Sequence, residues 1–117
     1  MEKKVENIVV PLSCPKGRNM ERERDIEAWL RRKVADAGGL FFKFTSPGND
    51  GVPDRLVVMG GRVVFVELKQ EGRKPRPLQE WQIARLRRAG ADVRVVAGMD
   101  EARAFWKEVM TDEVHTT

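Results

Sequence analysis

The chain has 117 residues, enough for one domain around a single hydrophobic core. Charged residues make up 34% and apolar residues 41%, as in an ordinary soluble protein, and the net charge of +4 favours a polyanionic partner. A single cysteine, Cys14, and a single histidine, His115, exclude an internal disulfide and a zinc finger and argue against a histidine general base. No apolar run reaches the length of a membrane span and no secretory signal is visible, so we expect a cytoplasmic protein.

The chain opens with an arm, residues 1–19, whose role the sequence does not indicate. Prolines and a glycine interrupt any regular element there. The next segment predicts a helix that begins between Glu21 and Asp25 and ends at Gly38 or Gly39. Its apolar stripe consists of Ile26, Trp29, Leu30 and Val34.

A short apolar strand, Leu40–Phe44, is followed by a polar loop and then by a hairpin. The hairpin is predicted because two apolar segments, Arg55–Met59 and Arg62–Val66, are joined by Gly60 and Gly61. Its second strand ends in Glu67 and Lys69. The hairpin is the element around which we expect the rest of the chain to be organised.

The remaining elements are a helix over about Leu78–Ala89, a strand over Asp92–Val96 and a last helix with Asp100 as its N-cap. Residues 111–117 are expected to form a C-terminal tail. We expect the side chains of the three tryptophans to lie in the core rather than to stack on bases. These tryptophans are Trp29, Trp81 and Trp106.

This order of elements predicts an α/β fold with one central mixed β-sheet flanked by helices on both faces. The connection from the hairpin through the second helix to the last strand is expected to be a right-handed parallel crossover.

Three charged side chains are expected to meet at one end of this sheet. Alternation along the second hairpin strand puts Glu67 and Lys69 on one face and turns Leu68 into the core. Antiparallel pairing brings Asp54, at the entrance of the first hairpin strand, beside the exit of the second. Two carboxylates and an ammonium group held there predict a magnesium site. Carboxylates that cluster without a metal repel each other, so we expect raised pKa values.

The spacing of Asp54 from Glu67-Leu68-Lys69 resembles the pattern of the PD-(D/E)xK nuclease superfamily. The fuller run, Gly51-Val52-Pro53-Asp54-Arg55, then Phe65 to Lys69, then Pro77-Leu78-Gln79, resembles the VRR-NUC family, in particular its small standalone phage and prophage members. The resemblance covers residues 21–98 and implies a restriction-endonuclease-like fold, with residues 20–110 as the nuclease domain.

The resemblance implies a role for each matched residue. Asp54 and Glu67 match metal-binding carboxylates, and the backbone carbonyl of Leu68 matches a further metal ligand. Lys69 matches the lysine that positions or activates the attacking water, and Gln79 matches a glutamine near the catalytic site. Among the acids of the first helix, Glu27 has the spacing seen in similar nucleases, and Glu23, one turn earlier, is the substitute.

The implied activity is that of a Mg²⁺- or Mn²⁺-dependent DNA endonuclease with one or two ions per site, selective for branched DNA such as four-way junctions. It would act in the cytoplasm of a bacterial or phage-infected cell, with no nucleotide cofactor and no membrane partner. The candidate nucleic-acid contacts are Lys43, Asn49, Arg73, Lys74, Arg76, Arg85 and Arg88, and Arg87 is a further candidate for gripping phosphates.

A homodimer is expected because one small domain carries one site, whereas cutting two opposed strands at once needs two. The apolar residues at 40–42 and in the last helix are candidates for the subunit contact. Two alternatives stay open: a nucleic-acid-binding protein without catalysis, and a nuclease subunit that is active only within a larger repair or packaging assembly.

Overall fold

The computed structural model describes residues 22–116, with the side chains of residues 22–111. The predicted arm of residues 1–19 lies outside this part of the chain. None of the helices in the described part is both long enough and apolar enough to cross a membrane.

In residues 22–116, three helices and four strands follow each other in the order that the sequence predicts. In chain order they are α1 (Glu23–Asp36), β1 (Leu40–Lys43), β2 (Arg55–Met59), β3 (Arg62–Lys69), α2 (Pro77–Arg88), β4 (Asp92–Ala97) and α3 (Met99–Thr116). The last helix therefore runs through most of the segment that we expected to be a tail.

The four strands form one mixed sheet in the order β1-β2-β3-β4. The first two pairs are antiparallel, with Phe41 opposite Val57 and Val57 opposite Val64. The pair β3–β4 is parallel, with Leu68 opposite Val96, as the crossover through α2 requires. The predicted mixed α/β sheet is confirmed.

The main core lies between one face of the sheet and the helices α1 and α3. Alternate residues of the strands point into it, because successive side chains of a strand lie on opposite faces. Its buried members are Ile26, Leu30, Val34, Val57, Met59, Val64, Val66, Leu68, Val96, Ala102, Phe105 and Val109.

The opposite face of the sheet carries α2, which buries Ile83 beside Val95 of β4. The helix covers only one side of this face. On β1 and at the start of β3, Leu40 is 52%, Phe42 48% and Val63 52% exposed. We call these three residues the open apolar face. The register places Leu40 and Val63 on the same side, because both lie opposite Val58.

Two local expectations are wrong. The helix α3 begins at Met99, where the carbonyl of Gly98 accepts the first intrahelical hydrogen bond from Ala102, so Asp100 lies in the first turn and is not the N-cap. Trp81 is 54% exposed. It points away from the sheet because the buried stripe of α2 is formed by Gln79, Gln82 and Ile83.

Candidate active site

Glu67 and Lys69 lie side by side at the end of β3, on the face that carries α2. The Nζ atom of Lys69 is 3.5 Å from Oε2 of Glu67. Glu67 is 5% exposed, and Leu68 between them belongs to the core. The alternation that the sequence predicts for this strand end is therefore confirmed.

Asp54 directly precedes β2, and its side chain is 60% exposed. Since Arg55 lies opposite Val66, the antiparallel register places Asp54 beside Glu67. The carbonyl of Asp54 accepts a hydrogen bond of 2.8 Å from the backbone N–H of Phe44. The loop before β2 is thus anchored to the end of β1 at the point where the carboxylate is presented.

The pKa of Glu67 is raised above its usual value. Burial is the largest cause, the negative charge of Asp54 adds to it, and the ammonium group of Lys69 opposes it. The sequence predicts this direction from repulsion between the carboxylates. For Glu67 the direction is right, but removal from water contributes more than the neighbouring charge.

Gln79 links Glu67 to the start of α2. Its Nε2 donates a hydrogen bond of 2.7 Å to Oε2 of Glu67. Its Oε1 accepts one of 2.8 Å from the backbone N–H of Arg76, which the helix itself leaves without a partner. One buried side chain therefore caps α2 and holds the carboxylate in one orientation.

The backbone carbonyl of Leu68 faces the β2 side of β3, the side on which Asp54 lies. The carbonyl of Lys69 accepts a hydrogen bond of 3.0 Å from Gly98, just beyond β4. Successive carbonyls of a strand point to opposite sides, so that of Leu68 points toward the β2 side, where Asp54 precedes the first paired residue.

The two candidate acids of α1 have different surroundings. The carboxylate of Glu27 accepts hydrogen bonds from Arg55, at 2.8 Å, and from Arg31. The hydrogen bond from Arg55 is the largest cause of a lowered pKa for Glu27, and the charges of Arg55, Arg31 and Lys43 act in the same direction. Glu27 is thus held in ion pairs with arginines.

Glu23 is exposed and lies closer to the strand end. It lines a cleft together with Lys69, and its charge is among the causes that raise the pKa of Glu67. The structure therefore brings Glu23, rather than Glu27, toward the buried carboxylate.

The donors at this end of the sheet suit a small hard cation. In the described part of the chain no group of three or more His, Cys, Asp or Glu side chains surrounds one metal position. Two carboxylates and one carbonyl still suffice for Mg²⁺, which keeps several of its waters and is usually held by one or two carboxylates. Asp54, Glu67 and the Leu68 carbonyl fit that pattern.

A cleft of about 340 Å³ with several cationic side chains adjoins this site. We call it the basic cleft. It is lined by Glu23, Lys69, Gln70, Arg73, Lys74 and Arg76. Three of the predicted nucleic-acid contacts therefore lie beside the candidate catalytic residues.

The other predicted contacts are dispersed. Lys43 ends β1 near Glu27, and Asn49 donates from its Nδ2 to Oγ of Ser46 at 3.0 Å. The guanidinium of Arg85 lies 4.7 Å from the ring centre of Trp81.

Arg88 and Arg87 lie at the exposed end of α2. Arg87 donates two hydrogen bonds to the carbonyl of Val93, so it ties the helix to β4.

Two residues near the site were missed by the sequence reasoning. Arg55 forms an ion pair of 3.0 Å with the carboxylate of Asp54, and its Nη1 donates to the Asp54 backbone carbonyl at 3.2 Å. Its Nη2 donates to Glu27, while its Nε is buried without a partner. Gln82 is buried and donates a hydrogen bond of 3.0 Å to the carbonyl of Asp50. An arginine directly after the motif aspartate was a usable signal for the first, whereas nothing in the sequence marks the second.

No family model matches the chain. It is 46% identical over 80 residues to "Putative nuclease p44" of Acyrthosiphon pisum secondary endosymbiont phage 1, an alignment that spans 68% of this chain and 86% of the relative. A solved structure described as "VRR_NUC domain" has a TM-score of 0.68 at 31% identity and is covered to 94%, with 73% of this chain matched. Another, "VRR_NUC domain protein", has a TM-score of 0.62 at 15% identity over 76% of this chain and 88% of the other, which shows the shared fold.

These relatives confirm both the resemblance read from the motifs and the restriction-endonuclease-like fold. The chain belongs to the VRR-NUC family of nucleases, among its small phage-type members.

Proposed function

We propose that this nuclease is a metal-dependent DNA endonuclease whose site is formed by Asp54, Glu67 and Lys69. The observation that carries the proposal is the buried Glu67. Its carboxylate has a raised pKa, lies near the charge of Asp54 and is held by Gln79. Charge repulsion of this kind at a strand end is relieved by a cation.

Mg²⁺ or Mn²⁺, as one or two ions, would be held by Asp54, Glu67 and the carbonyl of Leu68. A metal of this kind neutralises the phosphate and makes water a stronger nucleophile at neutral pH. Glu23 is the proposed further carboxylate from α1, because Glu27 is occupied by two arginines.

Gln79 and Lys69 are proposed to orient the Glu67 carboxylate and to supply a positive charge at the site. Gln79 keeps Glu67 in one orientation, so the carboxylate needs no rearrangement to bind a cation. Lys69 places a positive charge within 3.5 Å of the same carboxylate, where it would hold the attacking water and offset the charge that develops on the phosphate.

The proposed substrate is DNA held mainly by its backbone. The cationic side chains of the basic cleft lie beside Lys69, and backbone contacts of this kind depend strongly on salt and weakly on sequence. Lys43, Asn49, Arg85 and Arg88 are proposed as outer contacts.

The test is incubation of the purified protein with duplex, flap and four-way-junction DNA in Mg²⁺, in Mn²⁺ and in EDTA. We expect cleavage in either metal, preference for branched DNA, and none in EDTA. The same metals should raise the melting temperature, because binding to the folded state alone contributes about 2.7 kcal/mol at a hundredfold excess over Kd. Cleavage that persists in EDTA, or a protein inert toward all three DNAs, would refute the proposal.

The proposed working unit is a homodimer that cuts branched DNA on two strands. The open apolar face supports it, because half-exposed leucine, phenylalanine and valine side chains grouped on one sheet face are typical of a protein contact surface. A two-fold pair would bury this face and supply two sites of opposite polarity.

Light scattering should give about twice the chain mass of 13.4 kDa. Phe42→Glu should yield a monomer that only nicks a cruciform-bearing plasmid, whereas the dimer produces linear DNA directly. Ala35→Glu, at an exposed position on α1, is the control and should stay dimeric. A wild-type monomer that nicks only would refute the dimer and leave the nuclease proposal intact.

A further inference from the structure

A groove of about 250 Å³ runs beside the candidate active site, between the loop before β2, the sheet and α2. We call it the side groove. It is lined by Phe44, Ser46, Asn49, Val52, Phe65, Gln82, Arg85, Leu86 and Ala89. Its volume lies just below the range of about 300–1,000 Å³ that is usual for pockets binding drug-sized molecules.

The side groove lies next to the active site, two residues away along strand β3. On β3, Phe65 precedes Glu67 by two residues and therefore lies on the same face, about 6.6 Å away at 3.3 Å per residue. Val52, in the loop before β2, also lines the groove. The groove and the carboxylates are thus built on the same segments.

Along the helix α2, the groove and the active site are separated by a similar distance. Gln79 contacts Glu67, and Gln82, three residues later, lines the groove about 4.5 Å further along the axis at 1.5 Å per residue. The hydrogen bond from Gln82 to the carbonyl of Asp50 fixes the loop against the helix. This contact keeps the groove at a set distance from the site.

The lining has the chemistry of a site for a flat, mostly apolar ring with polar edges. The rings of Phe44 and Phe65 meet edge to face with their centres 5.4 Å apart. Ser46 and Asn49 supply polar groups at one side of the groove. Of the nine lining residues only Arg85 is charged, and its guanidinium covers the exposed ring of Trp81.

We propose that the side groove receives one unstacked nucleobase, from a nucleotide next to the phosphodiester that is cut. The inference rests on the proposed nuclease function and narrows its substrate. The distance of about 6.6 Å along β3 from Glu67 matches a neighbouring nucleotide, and the positive charge of Arg85 at the groove suits a strand that carries phosphates.

A paired base can enter the side groove only after it leaves its partner and its stack, which costs about a few kcal/mol. For an unpaired base this free-energy cost is smallest. The groove therefore selects DNA with an unpaired nucleotide beside the cut, as at a branch point or a flap.

The test uses DNA in which 2-aminopurine replaces the bases around the branch point, one at a time, in EDTA so that no cleavage occurs. We expect the wild-type protein to change the 2-aminopurine emission at one unpaired position and not at the same position in a full duplex. An abasic nucleotide there should weaken binding about five- to 150-fold, the equivalent of about 1–3 kcal/mol for one stacked base.

Ala89→Phe should fill the groove, remove the emission change and weaken binding to the same extent. Ala35→Phe, at an exposed position on α1, is the matched control and should behave as wild type. Unchanged emission at every unpaired position, or full affinity with the abasic DNA, would overturn the proposal even if Ala89→Phe did not fold.

Cleavage of the same DNAs in Mn²⁺ separates the two proposals. Cleavage without an emission change refutes the side groove alone. An emission change without cleavage refutes the metal-dependent activity and leaves the groove as a base-binding site.

Discussion

The Nε2 atom of Gln79 donates a hydrogen bond of 2.7 Å to Oε2 of Glu67, so the first turn of α2 holds the buried carboxylate of β3. The two residues are twelve positions apart and belong to different elements. Because the Oε1 atom of Gln79 also caps α2, the orientation of Glu67 depends on how that helix starts.

Replacing Gln79 by alanine should therefore reduce both cleavage and stability. Loss of the bond to Glu67 should lower cleavage about 10–100-fold, as for other groups that orient metal ligands. Loss of the hydrogen bond from the backbone N–H of Arg76 should cost about 0.5–1.5 kcal/mol in the free energy of unfolding. Initial cleavage rates and denaturant unfolding measure the two effects. Glu80→Ala, an exposed change on the same turn, should leave both near wild type, and wild-type cleavage by Gln79→Ala would contradict the proposed role.

Asp54→Asn, Glu67→Gln and Lys69→Ala should each abolish most cleavage and leave the fold in place. DNA affinity should persist because the remaining cations of the basic cleft carry it. Single-turnover cleavage, far-ultraviolet circular dichroism and a filter-binding assay measure the three properties. Asp36→Asn, an exposed acid at the end of α1, is the control. Normal turnover by Glu67→Gln would remove the basis for the site.

Glu23→Gln should change the affinity for metal, whereas Glu27→Gln should change the stability of the fold. Glu23 is exposed, so Glu23→Gln should leave stability unchanged and raise the Mn²⁺ concentration needed for half-maximal cleavage. Glu27→Gln should lose about 1.5–3 kcal/mol of stability, because it weakens the charged hydrogen bond of the largely buried Arg55. Thermal unfolding in EDTA and a Mn²⁺ titration distinguish them. A large loss of metal affinity in Glu27→Gln alone would return the ligand role to Glu27.

In the absence of metal, lower pH should raise the stability of the wild type relative to that of Glu67→Gln. The pKa of Glu67 is raised in the folded protein, so its contribution to stability is fully present below the usual glutamate pKa and is lost as the pH rises through the raised value. In EDTA the glutamine variant should therefore melt higher than wild type at neutral pH, and the difference should shrink as the pH falls. Melting curves across this range measure the effect. A constant difference would show that Glu67 does not titrate abnormally.

Local patterns in the sequence determined the elements and the central motif. A Gly-Gly turn sets the antiparallel register of the two hairpin strands. Alternation along the strands then brings Asp54, Glu67 and Lys69 to one end of the sheet. These relations act over a few residues of chain or across one pair of strands. They follow from backbone geometry before any helix is packed.

The tertiary structure decided what depends on how the helices lie on the sheet. Glu23 and Glu27 occupy one face of α1, and only the position of that helix puts Glu27 against Arg55 and leaves Glu23 near Glu67. The rotation of α2 likewise buries Gln82 and exposes Trp81. Helix periodicity shows which residues share a face. Which face meets the sheet, and which groove remains beside it, is set by the packing of the whole core.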